Sequence, residues 1–312
     1  MTTKRVRSQN KQYTNYALLS KPIVWEEKGP EHTLEELING IAPSDSEQGF
    51  ILTRTDESVL EALYAHSFLM QRHIMISGNR PRVVSRMQRL FRHGLVAKAR
   101  PGAAFGKKAV VYSLTAFGAE TLVARGIGIP DDWKPPYIRQ GYRDNVVHQI
   151  EVADLCSALA VDLAQLGEED IELVGSRALT HRIHPMYAKG QGLVVIPDSA
   201  FWIGSRLTCL IEHERTWRVD KFLSKMENYR RLLAGDTWEV YGIHKPLVIV
   251  SINDEGSSTR FKTACDIAIN KVERVVLLPQ SGWAAGDTTA TTMWLTKVQK
   301  MPMVEAVGHY LG

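Results

Sequence analysis

An apolar segment that ends in two carboxylates constrains the fold of this chain most. It runs from Leu207 to Ile211 and is followed by Glu212 and Glu214. A second apolar segment, which leads into Pro197-Asp198, precedes it across a turn at Gly204-Ser205. Because residues i and i+2 of a strand project to one face, Glu212 and Glu214 point together. The pattern predicts a β-hairpin that carries acids at one end.

The register of this hairpin decides whether its acids meet. A strict two-residue turn at Gly204-Ser205 sets Asp198 opposite Ile211, away from Glu212. An irregular turn with one more residue pairs Asp198 with Glu212 instead. That register also gathers five apolar residues on the opposite face: Phe201, Ile203, Leu207, Cys209 and Ile211. Since a buried face specifies register, we expect the irregular turn.

The segment after the hairpin predicts a helix that carries lysines. From Thr216 to Leu233, apolar residues recur at steps of three and four. Lys221, Lys225 and Tyr229 are spaced by four, so they form one stripe of this helix. Either lysine is therefore a candidate to point at the acids. Tyr229 is more typical of a residue that packs or hydrogen-bonds at a sheet edge.

Asp198 and Glu212 are the candidate metal ligands, with Glu214 as a third acid. Mg²⁺ (or Mn²⁺) prefers hard oxygen ligands and keeps waters and a substrate phosphate. A lysine beside such a site aligns the attacking water or stabilises developing charge. The alternative is a solvated surface on which acids and lysines form weak ion pairs. His148 and Glu151, near the start of an earlier helix, are further candidates for the site.

The segments around the hairpin indicate the architecture of the C-terminal half. A helix from Asp144 to Leu166 precedes a strand near Ile171 to Val174, and the hairpin and the lysine helix follow. A strand, a helix and a strand are then expected at 247–252, 259–272 and 275–278. This order predicts an α/β sandwich around a mixed sheet.

The segment from Thr55 to Gly126 predicts a winged helix-turn-helix. Asp56 is expected to cap a first helix that contains Leu60, Leu63 and Phe68, and a short second helix follows. Pro81 suits the first turn of a third helix. A β-hairpin with a basic tip then forms the wing, and a helix from Ala116 to Ala124 closes the unit.

Basic residues of this unit are the candidate DNA contacts. In the third helix they lie opposite the apolar residues expected to face inward, which are Val83, Val84, Met87, Leu90 and Phe91. Such a stripe suits the major groove or its phosphates. The candidates are Arg80, Arg82, Arg86, Arg89, Lys107 and Lys108. The alternatives are a solvated helix face and a winged helix that docks another protein.

Length and composition set the domain organisation. A chain of 312 residues has room for two domains, and 44% hydrophobic and 23% charged residues are ordinary for a globular protein. We expect a basic tail and acidic lead-in at 1–50, the winged helix at 51–126, a linker at 127–142 and the sandwich at 143–312. No apolar run is long enough for a membrane span. Three scattered cysteines without metal or disulfide spacing predict a reducing cytoplasm.

The Pro197-Asp198 and Glu212-x-Glu214 motif with its lysine helix resembles the PD-(D/E)xK restriction-endonuclease superfamily. The whole layout, from residue 55 to 280, resembles the replication-relaxation family, which is similar to the MobC-type plasmid relaxases. The resemblance implies an α+β chain with an N-terminal winged helix and a restriction-endonuclease-like domain. It matches Asp198 to the Asp of PD and Glu212 to the acid of (D/E)xK. Glu214 stands where the motif has lysine, which makes Lys225 or Lys221 the replacement.

The resemblance implies a sequence-targeted, metal-dependent DNA endonuclease, specifically a relaxase-like nicking protein of a plasmid or other mobile element. Its expected partners are double-stranded DNA and other relaxosome or replication proteins. The departure at Glu214 keeps a second class open, a non-catalytic DNA-binding factor of replication, transfer or regulation. The sequence leaves the oligomeric state open.

Overall fold

The fold is that of a computed structural model, which describes residues 25–26, 51–74, 80–99, 109–136, 143–165, 171–175, 179, 195–204, 207–236, 238–239, 243–253, 258–280, 294–295 and 300–301. The described chain forms two compact units, which divide after Ala153. The first holds described residues of Tyr16–Ala153 and the second those of Asp154–Gly312. The expected domain boundaries near 126 and 142 stay a prediction.

The first unit combines helices with a small antiparallel sheet. Its helices are α1 Arg54–His66, α2 Gln71–Ile74, α3 Arg80–Arg92 and α4 Ala116–Ala124. Its strands are β1 Trp25–Glu26, β2 Leu69–Met70, β3 Val96–Ala99 and β4 Val111–Leu114. They lie in the order β1-β3-β4-β2. The helix α5, Arg143–Gln165, begins in this unit and ends in the second.

The ends of α1 have local causes. Thr53, not Asp56, is the N-cap: its side chain accepts from the backbone of Asp56, whose carboxylate accepts from the backbone of Thr53. Asp56 at the third helical position completes a capping box because its side chain is long enough to reach back. At the other end Ser67 has φ of +63°, which stops the helix. Phe68 therefore lies beyond the helix that was expected to contain it.

The core of the first unit is built from apolar stripes of its helices and strands. Its fully buried members include Leu60, Leu63, Leu90, Leu95, Leu114 and Leu122. Val84 is 42% exposed, so the expectation that it faces inward is wrong. Successive residues of a helix are rotated by about 100°, which places Val84 at the edge of the buried stripe that contains Met87 and Leu90.

The second unit is built around a seven-stranded sheet. Its strands are β5 Ile171–Gly175, β6 Ser199–Ile203, β7 Leu207–Glu214, β8 Leu247–Ile252, β9 Val275–Pro279, β10 Trp294–Leu295 and β11 Lys300–Met301. Their order is β11-β10-β9-β8-β7-β6-β5. β7, β8 and β9 are parallel and the other neighbours are antiparallel. The expected mixed sheet is confirmed.

Two helices cover one face of this sheet. α6, Val219–Ala234, connects β7 to β8, and α7, Ser258–Lys271, connects β8 to β9. Both crossovers proceed in the same direction along the sheet, so right-handed connections place both helices on one face. Phe222 and Met226 of α6 share a core cluster with Leu210, Val250 and Ala264. On the other side, the thiol of Cys156 in α5 donates to Ser199 Oγ at 3.2 Å.

The register of the central hairpin is the one expected from its buried face. Ile203 pairs with Leu207 and Ser199 with Ile211, which leaves three residues in the turn. Gly204 at the start of this turn has φ of +51°, a conformation that glycine adopts without strain. The five apolar residues predicted for one face are all buried: Phe201, Ile203, Leu207, Cys209 and Ile211.

Membrane insertion was not expected from the apolar runs. Among the described helices, none is both long and apolar enough to span a bilayer.

Candidate functional site

Three carboxylates lie at the carboxyl end of β7. The paired ladder of β6 and β7 ends at Ser199 and Ile211, and the backbone N–H of Asp198 donates to Ile211 O at 2.8 Å, so the expected pairing of Asp198 with Glu212 is not part of the ladder. Asp198 is nevertheless close enough for its charge to raise the pKa of Glu212. The backbone N–H of His213 donates to Asp198 Oδ2 at 2.8 Å and orients that carboxylate. Glu214 follows Glu212 on the same face, which is the face that α6 covers.

Two side chains of α6 reach these acids. Lys225 Nζ donates to Glu212 Oε2 at 2.7 Å and to Glu214 Oε1 at 2.5 Å. The hydroxyl of Tyr229 donates to Glu212 Oε1 at 2.6 Å. The spacing of Lys225 and Tyr229 along α6 matches the spacing of Glu212 and Glu214 along β7, because four residues of helix and two residues of strand each rise by roughly 6 Å. We call the three acids with Lys225 and Tyr229 the acid–lysine cluster.

The cluster holds more acid than base. Asp198, Glu212 and Glu214 supply three carboxylates against the one ammonium of Lys225. Glu212 is 1% exposed, and burial, reinforced by the charge of Asp198, raises its pKa to about 7 against the opposing effects of Lys225 and Tyr229. Burial thus favours the neutral form of Glu212 more strongly than its contacts with Lys225 and Tyr229 favour the ionised form.

Lys225 itself is held in the charged form. Burial acts to lower its pKa, but the charges of Glu212, Glu214 and Asp198 outweigh burial and raise it well above the ordinary value. An ammonium with a raised pKa donates hydrogen bonds and positive charge and does not accept a proton at neutral pH. Lys225 can thus stabilise negative charge beside the acids but cannot act as a general base.

The acids of the cluster are the residues that would hold a hard divalent cation. Within the described part of the chain, no group of three or more His, Cys, Asp or Glu side chains is arranged to hold a metal ion. Mg²⁺ does not need such a cage, because it is commonly bound by one or two carboxylates and completes its shell with water and phosphate. The charge of Asp198 acts on Glu212 and raises its pKa, so these two acids are the pair that would hold such a cation.

The other residues expected at this site have different positions. Lys221 lies one turn nearer the start of α6 and is exposed. His148 is half-buried and Glu151 is buried, in the part of α5 that belongs to the first unit. Their assignment to the site stays a prediction. His213 was expected to turn away from the acids, and it is buried with Nδ1 3.3 Å from Ser251 Oγ.

Arg86 of the first unit contacts an acid instead of lying on a solvated stripe. Its Nε and Nη2 donate to the two oxygens of Asp56, and Nη2 also donates to Ile51 O at 2.9 Å. The side chain of Asp56 is fully buried and that of Arg86 is 25% exposed. The hydrogen bond to Asp56, which outweighs partial burial, raises the pKa of Arg86. Arg86 therefore ties α3 to the start of α1.

The remaining candidate DNA contacts are less fully described. Arg89 is half-buried on α3. Lys107 and Lys108, and the side chains of Arg80 and Arg82, lie outside the described residues. All of these stay predictions as DNA contacts.

Three contacts escaped prediction from sequence. The Thr53-x-x-Asp56 spacing is a capping-box signature, and it was the available signal that Asp56 sits in the first turn with its carboxylate facing back. No sequence signal joins Asp56 to Arg86, which is 30 residues away. The spacing of four between Lys225 and Tyr229 put both on one stripe, but the bond from Tyr229 to Glu212 depends on how closely α6 packs on β7.

The fold and the site define a class: an α+β protein with a partly buried acid–lysine cluster at the carboxyl end of a strand in a mixed sheet. A family model described as Replication-relaxation matches residues 60–247, more than half of the chain. The chain belongs to the replication-relaxation family, whose description points to replication or relaxation of mobile elements. The match includes β7 and α6 and so contains the cluster. No curated protein and no solved structure matches the chain.

Proposed function

We propose that this protein is a metal-dependent DNA endonuclease that nicks one strand of a plasmid or other mobile element. In this proposal residues 51–126 are a winged helix that locates the site, and residues 143–312 are a PD-(D/E)xK-type domain similar to that of MobC-type relaxases. The observation that carries the proposal is the position of Lys225, whose ammonium bonds both Glu212 and Glu214 beside Asp198. An ammonium from the next helix thereby replaces the lysine that the motif lacks at Glu214.

Each residue of the cluster has a role in this proposal. Asp198 and Glu212 would hold Mg²⁺ (or Mn²⁺), with Glu214 as a further acid. When bound, the cation would supply Lewis acidity and an activated water. Lys225, permanently charged, stabilises the negative charge that develops on the phosphoryl oxygens. Tyr229 donates to Glu212 and so orients that carboxylate from inside the core.

The fold supports this location for the chemistry. In sheets with parallel strands, ligands bind outside the carboxyl ends of the strands. The cluster lies at that end of β7, beside the parallel neighbour β8. Double-stranded DNA is the proposed partner, and other relaxosome or replication proteins are further candidates. The described residues form one such cluster, which suits a nick, because cleavage of both strands would require a second site.

A second candidate is a non-catalytic DNA-binding factor of replication, transfer or regulation. One observation favours it: both carboxylate oxygens of Glu212 already accept from protein donors, Lys225 and Tyr229. In that case the ammonium would serve as the permanent counterion of the acids.

Incubation with supercoiled plasmid from the host element tests the proposal. Wild type, Asp198→Ala and Lys225→Ala are compared in Mg²⁺ and in EDTA, with Lys245→Ala as a control that removes a lysine paired elsewhere, to Glu273. We expect Mg²⁺-dependent open circles with wild type and Lys245→Ala and none with the other two. Intact supercoils together with tight DNA binding by wild type would contradict the nuclease and favour the binding factor.

A further inference from the structure

The stripe of α6 that holds the acid–lysine cluster continues beyond it. Tyr229 bonds Glu212, and Lys225, one turn closer to the start of the helix, bonds Glu212 and Glu214. Lys221 is the next residue at the same spacing of four, roughly 6 Å further along the helix axis. β7 ends at Glu214, so the strand offers no further carboxylate at this level.

The outer part of this stripe is basic and exposed. Lys221 is exposed, and so is Arg218, three residues earlier at the N-cap of α6. We call these two residues the outer basic pair. Asp220, the acid in the first turn of α6, is also exposed. It is rotated by about 100° from Lys221 around the helix, so it does not interrupt the stripe.

The acids of the neighbouring cluster repel the phosphates of DNA, and positive side chains nearby reduce that repulsion. A DNA strand that approaches the acids of the cluster meets repulsion from each carboxylate that is ionised. Lysine and arginine beside the cluster offset that repulsion by contacting the phosphates on either side of the reacting one. Successive phosphates of one DNA strand are separated by ~3.4 Å along the DNA axis. A side chain that lies roughly 6 Å further along α6 is therefore within reach of a phosphate one or two positions away.

We infer that the outer basic pair, Arg218 and Lys221, binds the phosphates of the DNA strand that flank the position held at the acid–lysine cluster. This inference rests on the proposed function and gives Lys221 a substrate-binding role in place of a catalytic one. The hydrogen bonds support that division. Lys225 donates to Glu212 and Glu214, whereas Lys221 and Arg218 are exposed on the outer part of the helix.

A salt titration of DNA binding tests this inference. A fluorescent duplex of mixed sequence is titrated in EDTA with wild type and with Arg218→Ala/Lys221→Ala, from about 50 to 200 mM salt. Each lost phosphate contact lowers the slope of log K against log salt by about 0.9, so we expect a decrease of roughly 1.8. Affinity at low salt should fall on the order of tenfold, in line with two lost contacts.

Two further variants control for charge and for folding. Arg230→Ala/Arg231→Ala removes two positive charges from the exposed last turn of the same helix and should leave the slope unchanged. Arg218→Lys/Lys221→Arg keeps the charge and should keep the slope. An unchanged slope in the alanine pair, or an equal decrease in the Arg230/Arg231 control, overturns the inference.

The plasmid assay separates this inference from the proposed function. If wild type never nicks plasmid but the slope falls only in the Arg218/Lys221 alanine pair, the nuclease proposal fails and the DNA contact stands. If wild type nicks plasmid and that slope is unchanged, the nuclease stands and the outer basic pair is not a phosphate contact.

Discussion

The two units each contain a basic side chain that bonds a buried acid, and the two contacts differ in their charge balance. In the first unit Arg86 bonds Asp56, and the same carboxylate also accepts from Thr53. In the second, Lys225 meets Glu212 and Glu214 beside Asp198. The first contact pairs one positive charge with one carboxylate, and the second pairs one positive charge with two carboxylates beside a third. A buried one-to-one pair is typical of a structural contact, whereas several carboxylates around one ammonium, one of them with a raised pKa, are typical of a candidate functional site.

The largest expected effect separates the two lysines of α6. Lys225→Met should lower the rate of plasmid nicking by about 100-fold or more, because it removes the donor beside the developing charge. Lys221→Met should lower it less than about tenfold and recover at saturating protein, because a phosphate contact affects binding. Single-turnover nicking at several protein concentrations measures both. Equal losses at saturation would assign a catalytic role to Lys221 as well.

Neutralising one acid in each unit should change stability in opposite directions. Asp56→Asn should cost roughly 2–4 kcal/mol, because Arg86 and Thr53 bring only donors and an amide cannot accept all of them. Glu212→Gln should be neutral or stabilising on the order of 1 kcal/mol at pH 8 in EDTA, since the hydroxyl of Tyr229 can reverse and accept from the amide.

The pH dependence follows from the raised pKa of Glu212. The unfolded carboxyl ionises near 4.5 and the folded one at about 7, so the folded state binds the extra proton between these values. Stability from this group therefore falls as the pH rises from 4.5 to 7, and the benefit of Glu212→Gln should vanish by pH 5. Urea unfolding at both pH values measures this. A strong destabilisation by Glu212→Gln at pH 8 would show that the cluster is balanced like the Asp56 pair.

Removing one hydroxyl tests whether Tyr229 positions Glu212. Tyr229→Phe keeps the buried ring and should weaken Mn²⁺ binding by about 10- to 100-fold, as losses of such orienting bonds do in metal sites. Tyr112→Phe, a buried tyrosine of the first unit, is the matched control and should leave Mn²⁺ affinity unchanged. Isothermal titration in the absence of DNA reads out affinity directly. Equal affinities in wild type and Tyr229→Phe would leave Tyr229 as a packing residue only.

The smallest expected effect concerns Arg86 and DNA. Arg86→Gln should lower the melting temperature but leave the salt slope of DNA binding unchanged, because its guanidinium is bound to Asp56. A phosphate contact would instead lower that slope by about 0.9. Arg89→Gln provides the comparison within the same helix. A decrease in slope for Arg86→Gln would return Arg86 to the DNA contacts.

The register and the elements of the second unit were predictable from sequence. The pairing of Ile203 with Leu207 places all five apolar residues of the hairpin on one buried face, as the sequence pattern predicts. The strands that begin at 247 and 275, the helix between them and the helix before the first were predictable, because short apolar runs alternate there with helical periodicity. These features depend on patterns within a few residues of the chain.

The sequence by itself thus determined the elements, the hairpin register and the stripe that carries Lys221, Lys225 and Tyr229. Tertiary structure decided that Lys225, and not Lys221, meets the acids. Residues spaced by four lie on the same side of a helix, so the sequence does not tell which of them is level with the acids until the position of α6 along β7 is known. It also decided that Arg86 binds Asp56, a contact across 30 residues of sequence. Periodicity specifies the direction of a side chain, whereas the identity of its partner depends on how separate elements pack together.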